Sequence, residues 1–220
     1  MTDTATEPAL RAMIVPVTPI EQNCTLIWCT KTKKGAVIDP GGDLPRIKAA
    51  IAQAGITVEK ILLTHGHIDH AGEAKPLADE LGVKIEGPQE EDRFWLARLG
   101  DDGRNWGIRG VPFEPDRWLA EGDQVTIGEV AFDVYETPGH VVFHQPATKF
   151  ALVGDVLFSG SVGRTDFPLS DHQALIDSIV TKLWPMGDAT HFVPGHGQPG
   201  TFGQERRTNP FVADSVLAGG

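Results

Sequence analysis

Apolar residues change period several times along the chain, and each change marks an element. Near the start, "MIVPV" and "CTLIWCT" are short runs rich in β-branched and apolar residues. With "GAVID" they read as three strands. The third ends at "PGGD", where Pro40, Gly41 and Gly42 signal a turn. The period then becomes helical. In "LPRIKAAIAQAG", Leu44, Ile47 and Ile51 share one face and Gly55 stops the helix. "EKILLTH" reads as a buried strand, "HAGEAKPLADELG" as a helix closed by Gly82, and "VKIEGP" as a strand. Residues 89–118 read as an insertion made of a helix over 89–99 and a long irregular loop rich in Gly, Pro, Arg and Trp. A loop of that length is either a lid over a site or a packed Ω-loop, here pinned by Trp106 and Trp118.

Further on, "DQVTIGEVAFDVYETPG" alternates like a hairpin turning at Gly128–Glu129. "FALVGDVLF" is a buried strand, and "DHQALIDSIVTKLWPM" a helix capped by Asp171. "HFVPGHG" is a short strand and turn, followed by a short polar tail. Residues 1–12 read as a flexible N-terminus. No repeat and no linker divides residues 1–220, so the pattern predicts a single α/β domain. Its two mixed β-sheets face each other, with helices packed outside.

Composition narrows the class of partner. The 220 residues suffice for a sizeable core, and the formal charge of -11 disfavours a nucleic-acid partner. The first residues lack a basic and apolar leader, and no apolar run is long enough to span a bilayer. The two cysteines, Cys24 and Cys29, fall on opposite faces of a strand, which disfavours a bridge between them. Two buried thiols fit a reducing compartment, and the chain is expected in the cytoplasm.

The chemistry concentrates in "THGHIDH", which crowds His65, His67, Asp69 and His70 into six positions after an apolar strand. His140, Asp155 and His196 also follow apolar strands. In sheets joined by crossing helices, such strand ends line a shared crevice. Imidazole nitrogen and carboxylate oxygen are ligands that zinc and iron(II) accept. His65 and His67, two apart in extended chain, can face one ion. Asp69 and His70, turning into a helix, can face a neighbour.

This set resembles the metallo-β-lactamase superfamily. The motif is Thr64-His65-Gly66-His67-Ile68-Asp69-His70, followed in order by "TPGH", "VGD" and "PGHG". The resemblance runs from "NCTLIW" to "PGHG" and implies an αββα sandwich. It also implies two divalent metal ions, zinc first, with iron or a mixed pair as alternatives. His65, His67 and His140 would hold one ion, Asp69, His70 and His196 the other, and Asp155 would bridge them. Asp69 and Asp155 would thereby serve catalysis. Asp69, where a di-iron oxygen-reducing branch carries Glu, favours hydrolysis.

A narrower resemblance lies in "GSVGRTDFP" and in the insertion at 89–118. Both look like short bacterial glyoxalase-II-like thiolester hydrolases, with a glutathione-derived small molecule as substrate. The same stretch also resembles persulfide dioxygenases, which would use one iron on His65, His140 and Asp155. Lactone or β-lactam opening, or a non-catalytic binding protein, are further alternatives on this fold. Arg164 is a candidate for pairing a substrate carboxylate, or a structural partner of Asp166. Asp39 in "VIDPGG" is a candidate orienter of a ligand histidine.

The chain departs from these relatives at "TPGHVVFH", which lacks one "TPGH" unit. Either His140 keeps its ligand role on a tighter loop, or it aligns with the second histidine of the family pattern and a ligand is displaced. His144 reads as an ordinary strand residue.

Overall fold

A computed structural model describes residues 7–166 and 170–219. The first sheet is built from β1 (Leu10–Val17), β2 (Gln22–Cys29), β3 (Lys34–Ile38), β4 (Thr57–Leu62) and β5 (Lys84–Glu86), in that spatial order. The first three strands pair antiparallel, and β3, β4 and β5 run parallel. Helix α1 (Leu44–Ala54) makes the β3–β4 crossover. Helices α2 (Ile68–Ala71) and α3 (Ala74–Leu81) make the next one.

The second sheet follows α4 (Arg93–Trp106). Its strands are β6 (Gln124–Ile127), β7 (Val130–Thr137), β8 (His140–Gln145), β9 (Phe150–Gly154), β12 (His191–Pro194) and β13 (Gly200–Thr201). A small hairpin, β10 (Leu157–Phe158) with β11 (Ser161–Val162), and helix α5 (His172–Ser178) lie between β9 and β12. α5 continues through a π turn (Ile179–Leu183) and a 3₁₀ turn (Trp184–Met186), and α6 (Phe202–Thr208) and α7 (Asp214–Leu217) close the described chain.

Alternation along the strands makes four layers. Ile27, Ile38 and Leu62 of the first sheet meet Phe132, Phe143 and Leu152 of the second in a shared inner core. Leu26, Val37 and Ile61 face outward beneath Ile47 of α1 and Leu77 of α3. Val142, Val153 and Phe192 face outward beneath Leu175, Ile179 and Phe202. The αββα sandwich is therefore the fold of this chain. No helix of the described residues is long and apolar enough to cross a membrane.

Three boundaries differ from the sequence reading. Leu10–Ala12, grouped there with a flexible N-terminus, already belong to β1, because Leu10 is buried and pairs with Cys29. Residues 1–6 of that N-terminus lie outside the described residues. The insertion helix does not stop at residue 99 but runs to Trp106 and ends at Gly107. Leu96, Leu99 and Gly103 form its buried face, and the Arg98–Asp102 pair supports it, which offsets the helix cost of Gly100 and Gly103. The polar tail folds as α6, capped by the Thr201 hydroxyl, which accepts from the Gln204 N–H.

Candidate metal centre

Strand ends from both sheets converge at one edge of the sandwich. Asp39 follows β3, and residues 63–67 lead from β4 into α2, which carries Asp69 and His70. From the second sheet come His140 at the start of β8, Asp155 just after β9 and His196 just after β12. Backbone hydrogen bonds lace the sheets together here: Val141 N–H to Thr64 O at 2.8 Å, and Asn23 N–H to Gly195 O at 2.7 Å. The Asn23 amide also donates to Pro194 O and Gly197 O, holding the "PGHG" turn. Gly195 has to be glycine, since a Cβ there would collide with Asp155 Oδ1 and His70 Cε1.

The ligand-type atoms fall into two triads, each within 4.8 Å. One is His65, His67 and Asp155; the other is Asp69, His70 and His196. Asp155 reaches towards both: its carboxylate lies 4.0 Å from His65 Nε2, 3.5 Å from His70 Nε2 and 3.9 Å from His196 Nε2. The His140 ring lies beside the first triad, its centroid 4.2 Å from that of His65. Asp39 groups with His65 and His70 by distance. Its oxygens, however, accept from Thr64 N–H at 2.7 Å, Thr64 Oγ1 at 2.6 Å and His70 Nδ1 at 2.9 Å. That leaves Asp39 as the carboxylate behind the histidines rather than a ligand.

These hydrogen bonds set the imidazole tautomers. Thr64 donates its hydroxyl to Asp39, so it accepts from His65 Nδ1 at 3.0 Å. His140 donates Nδ1–H to Pro138 O at 3.1 Å, and His196 donates Nδ1–H to Ile20 O at 3.3 Å. His65 and His140 thereby leave an Nε2 lone pair facing the centre, whereas His196 Nε2 lies 3.0 Å from Asp69 Oδ2. His65 Nε2, His70 Nε2, His140 Nε2 and Asp155 Oδ1 are buried with no hydrogen-bond partner. Four converging acceptors without donors are what a cation satisfies, so the residues present fit a dinuclear metal site.

Electrostatics agree. Burial, reinforced by neighbouring histidines, holds His65 well below its ordinary value. Burial likewise lowers His140, and lowers His67 to about 4. These three are neutral at pH 7, the form that binds metal. Burial raises the Asp155 carboxyl, but the facing His70, His196 and His140 outweigh it and keep it ionised. His70 is the exception: the facing Asp155 and Asp69 carboxylates outweigh its burial and raise it.

A cleft of about 570 Å³ opens above the cluster. Trp95 and Trp106 of α4 form one wall, and Ile20, Phe158 and Leu175 add apolar surface. The insertion thus walls the cleft with a helix rather than an irregular loop. Trp95 packs edge-on against His67, with ring centroids 4.7 Å apart. Asp92, buried beside the motif, is pushed up to about 8 by desolvation, although the Gly66 N–H donates to it. Arg164 lines the cleft, and Asp166 holds its guanidinium through two bonds of 2.9 and 2.7 Å. Phe167 and Pro168, which end the "GSVGRTDFP" stretch, lie outside the described residues. His144 is buried on the outer face of the second sheet, away from the centre. The sequence reading did not single out Thr64, Asn23, Asp92 or Gln89 as site residues. Only Thr64, inside the motif, carried a local signal.

Known proteins are similar to this chain over most of its length. The hydroxyacylglutathione hydrolase GloC of Haemophilus influenzae is 42% identical over 205 residues, which cover 90% of this chain and 96% of that protein. The crystal structure of the BLEG-1 B3 metallo-beta-lactamase matches with a TM-score of 0.84 at 32% identity, over 92% of this chain and 99% of that one. TTHA1623, solved in a di-iron-bound form, matches with a TM-score of 0.81 at 34% identity, over 90% of this chain and 99% of that one. The family model described as "Metallo-beta-lactamase superfamily" matches residues 17–196, and the chain belongs to that superfamily.

Proposed function

We propose that this protein is a two-metal hydrolase of thiolesters, with glutathione thiolesters such as S-D-lactoylglutathione as its substrate class. The observation that carries the reading is the pair of ligand triads meeting at Asp155 on the floor of the cleft. His65, His67 and His140 would hold the first ion, Asp69, His70 and His196 the second, and Asp155 both. The donor set suits zinc, and iron(II) by the same chemistry. When bound, the ions supply a water acidified to hydroxide near neutral pH and a Lewis acid for the carbonyl oxygen.

The chain's own residues do the rest. Asp39 and Thr64 fix the rings of His65 and His70. The tryptophan wall shields the acyl group from bulk water. A thiol has a pKa of about 8.5, so a thiolate leaves near neutral pH without a dedicated acid. The 42% identity to a hydroxyacylglutathione hydrolase supports the same substrate class.

The test is elemental analysis of the purified protein together with two assays. Two divalent ions per chain and release of glutathione from S-D-lactoylglutathione are expected. A single iron with oxygen uptake on glutathione persulfide would overturn the reading in favour of a dioxygenase. No metal and no turnover would overturn it in favour of a binding protein.

A further inference from the structure

The turn before His140 is only two residues long. Thr137 and His140 pair directly across it, with Pro138 and Gly139 at its tip. Gly139 has φ 72°, the left-handed value that the residue after proline takes in a type II turn. His140 is therefore the first residue of β8, and its place in the centre depends on how this tight turn is held.

Gln89 lies against the turn, in the segment that leads into α4, and is only 4% exposed. With its amide oxygen towards the turn, it accepts from two successive backbone N–H groups, Gly139 at 3.0 Å and His140 at 2.9 Å. On the other side, Lys182 of the π turn donates to Glu136 O at 2.6 Å, gripping the end of β7. Asp92 and Trp95 follow Gln89 at three-residue intervals, and meet Gly66 and His67, the latter a member of the first triad. The insertion thus touches both halves of one metal position.

We propose that Gln89 is a positioning residue for His140: its amide oxygen clamps the shortened turn and aims the His140 ring at the first metal position. The clamp replaces the support that a longer loop would give, and it couples the α4 wall to the metal. The inference rests on His140 serving as a ligand, as proposed above.

The experiment compares wild type with Gln89→Met and Gln89→Glu. Methionine keeps the length and removes the acceptor; glutamate keeps an acceptor oxygen. Ion affinities are read by competition with a chromophoric chelator, and the fold by melting of the metal-free proteins. Gln89→Met is expected to weaken one of the two ions about 10–100-fold and leave the other near wild type, the range seen when a residue supporting a ligand is lost. Gln89→Glu is expected to restore the first ion. In a His140→Ala background, Gln89→Met is expected to add nothing further. If Gln89→Met does not fold, Gln89→Asn, too short to reach the turn, takes its place with the same expectation. Two ions at wild-type affinity, equal weakening of both, or an additive loss in the His140→Ala background would each overturn the proposal. Absence of any ion from the wild-type protein would instead overturn the two-metal function.

Discussion

The Asp39 carboxylate accepts three hydrogen bonds at 3% side-chain exposure, so its substitution acts on metal and fold together. Asparagine has the same shape but turns one acceptor into a donor. That NH₂ must face either the Thr64 backbone N–H, donor against donor, or the position where both the Thr64 hydroxyl and His70 Nδ1–H now donate, in which case His70 loses its fixed tautomer. Asp39→Asn is expected to weaken metal binding about 10–100-fold. It should also cost roughly 1–3 kcal/mol of stability for the buried mismatch. Chelator competition and denaturant melts measure the two effects, and unchanged ion affinity would show that Asp39 does not orient its histidine. Asp39 was legible in the sequence as a candidate because it stands between a strand and "PGG". Gln89 and Asn23 were not: their partners lie 50 and about 170 residues away, and an isolated amide carries no local pattern.

At the scale of elements, periodicity worked wherever one face was plainly buried. Helix α1 spans the expected residues, with Ile47 fully buried and Leu44 and Ile51 packed beside it, and the hairpin turns at Gly128–Glu129 as its alternation requires. It failed for the second half of α4, where Gly100, Asp101, Asp102 and Gly103 read as loop. Tertiary packing of Leu96, Leu99 and Gly103 decides there against propensity. It also failed to show that β8 begins at His140 itself. The outer face of β8 carries a further consequence. His144 follows Val142 on that face and is buried near Tyr135, with both ring nitrogens unpartnered. Burial lowers its pKa, and Asp133 across the ladder only partly offsets this. The folded state then binds fewer protons than the unfolded state below the ordinary value of 6.5, so stability falls as pH drops through that region. His144→Leu is expected to flatten this dependence. Metal-free wild type should lose on the order of a few degrees more than the variant between pH 7.5 and 5.5. Parallel melting curves for the two would contradict the assignment.

Across the whole molecule, the two sheets divide the candidate ligands between them. His65, His67, Asp69 and His70 come from the first sheet and its crossover, whereas His140, Asp155 and His196 come from the second. The inner core already joins the layers, but at the site edge the four unpartnered ligand atoms oppose their close approach when no cation lies among them. Each ion would therefore tie one sheet to the other, and metal binding is linked to the stability of the sandwich as a unit. An ion present at a hundredfold its dissociation constant stabilises the folded state by about 2.7 kcal/mol. In a chain of this size that corresponds to a rise of roughly 5–10 °C in melting temperature. Chelation, which removes both ions, is expected to lower the melting temperature by about twice that amount, and restoring two equivalents of zinc to return it. Limited proteolysis of the metal-free protein should cut first in the segments at the site edge, residues 63–67 and the "PGHG" turn, while the helices under the outer faces stay protected. A melting temperature indifferent to chelator, in protein shown to have carried two ions, would mean that the sheets are held by their core alone and that the site is preformed without metal.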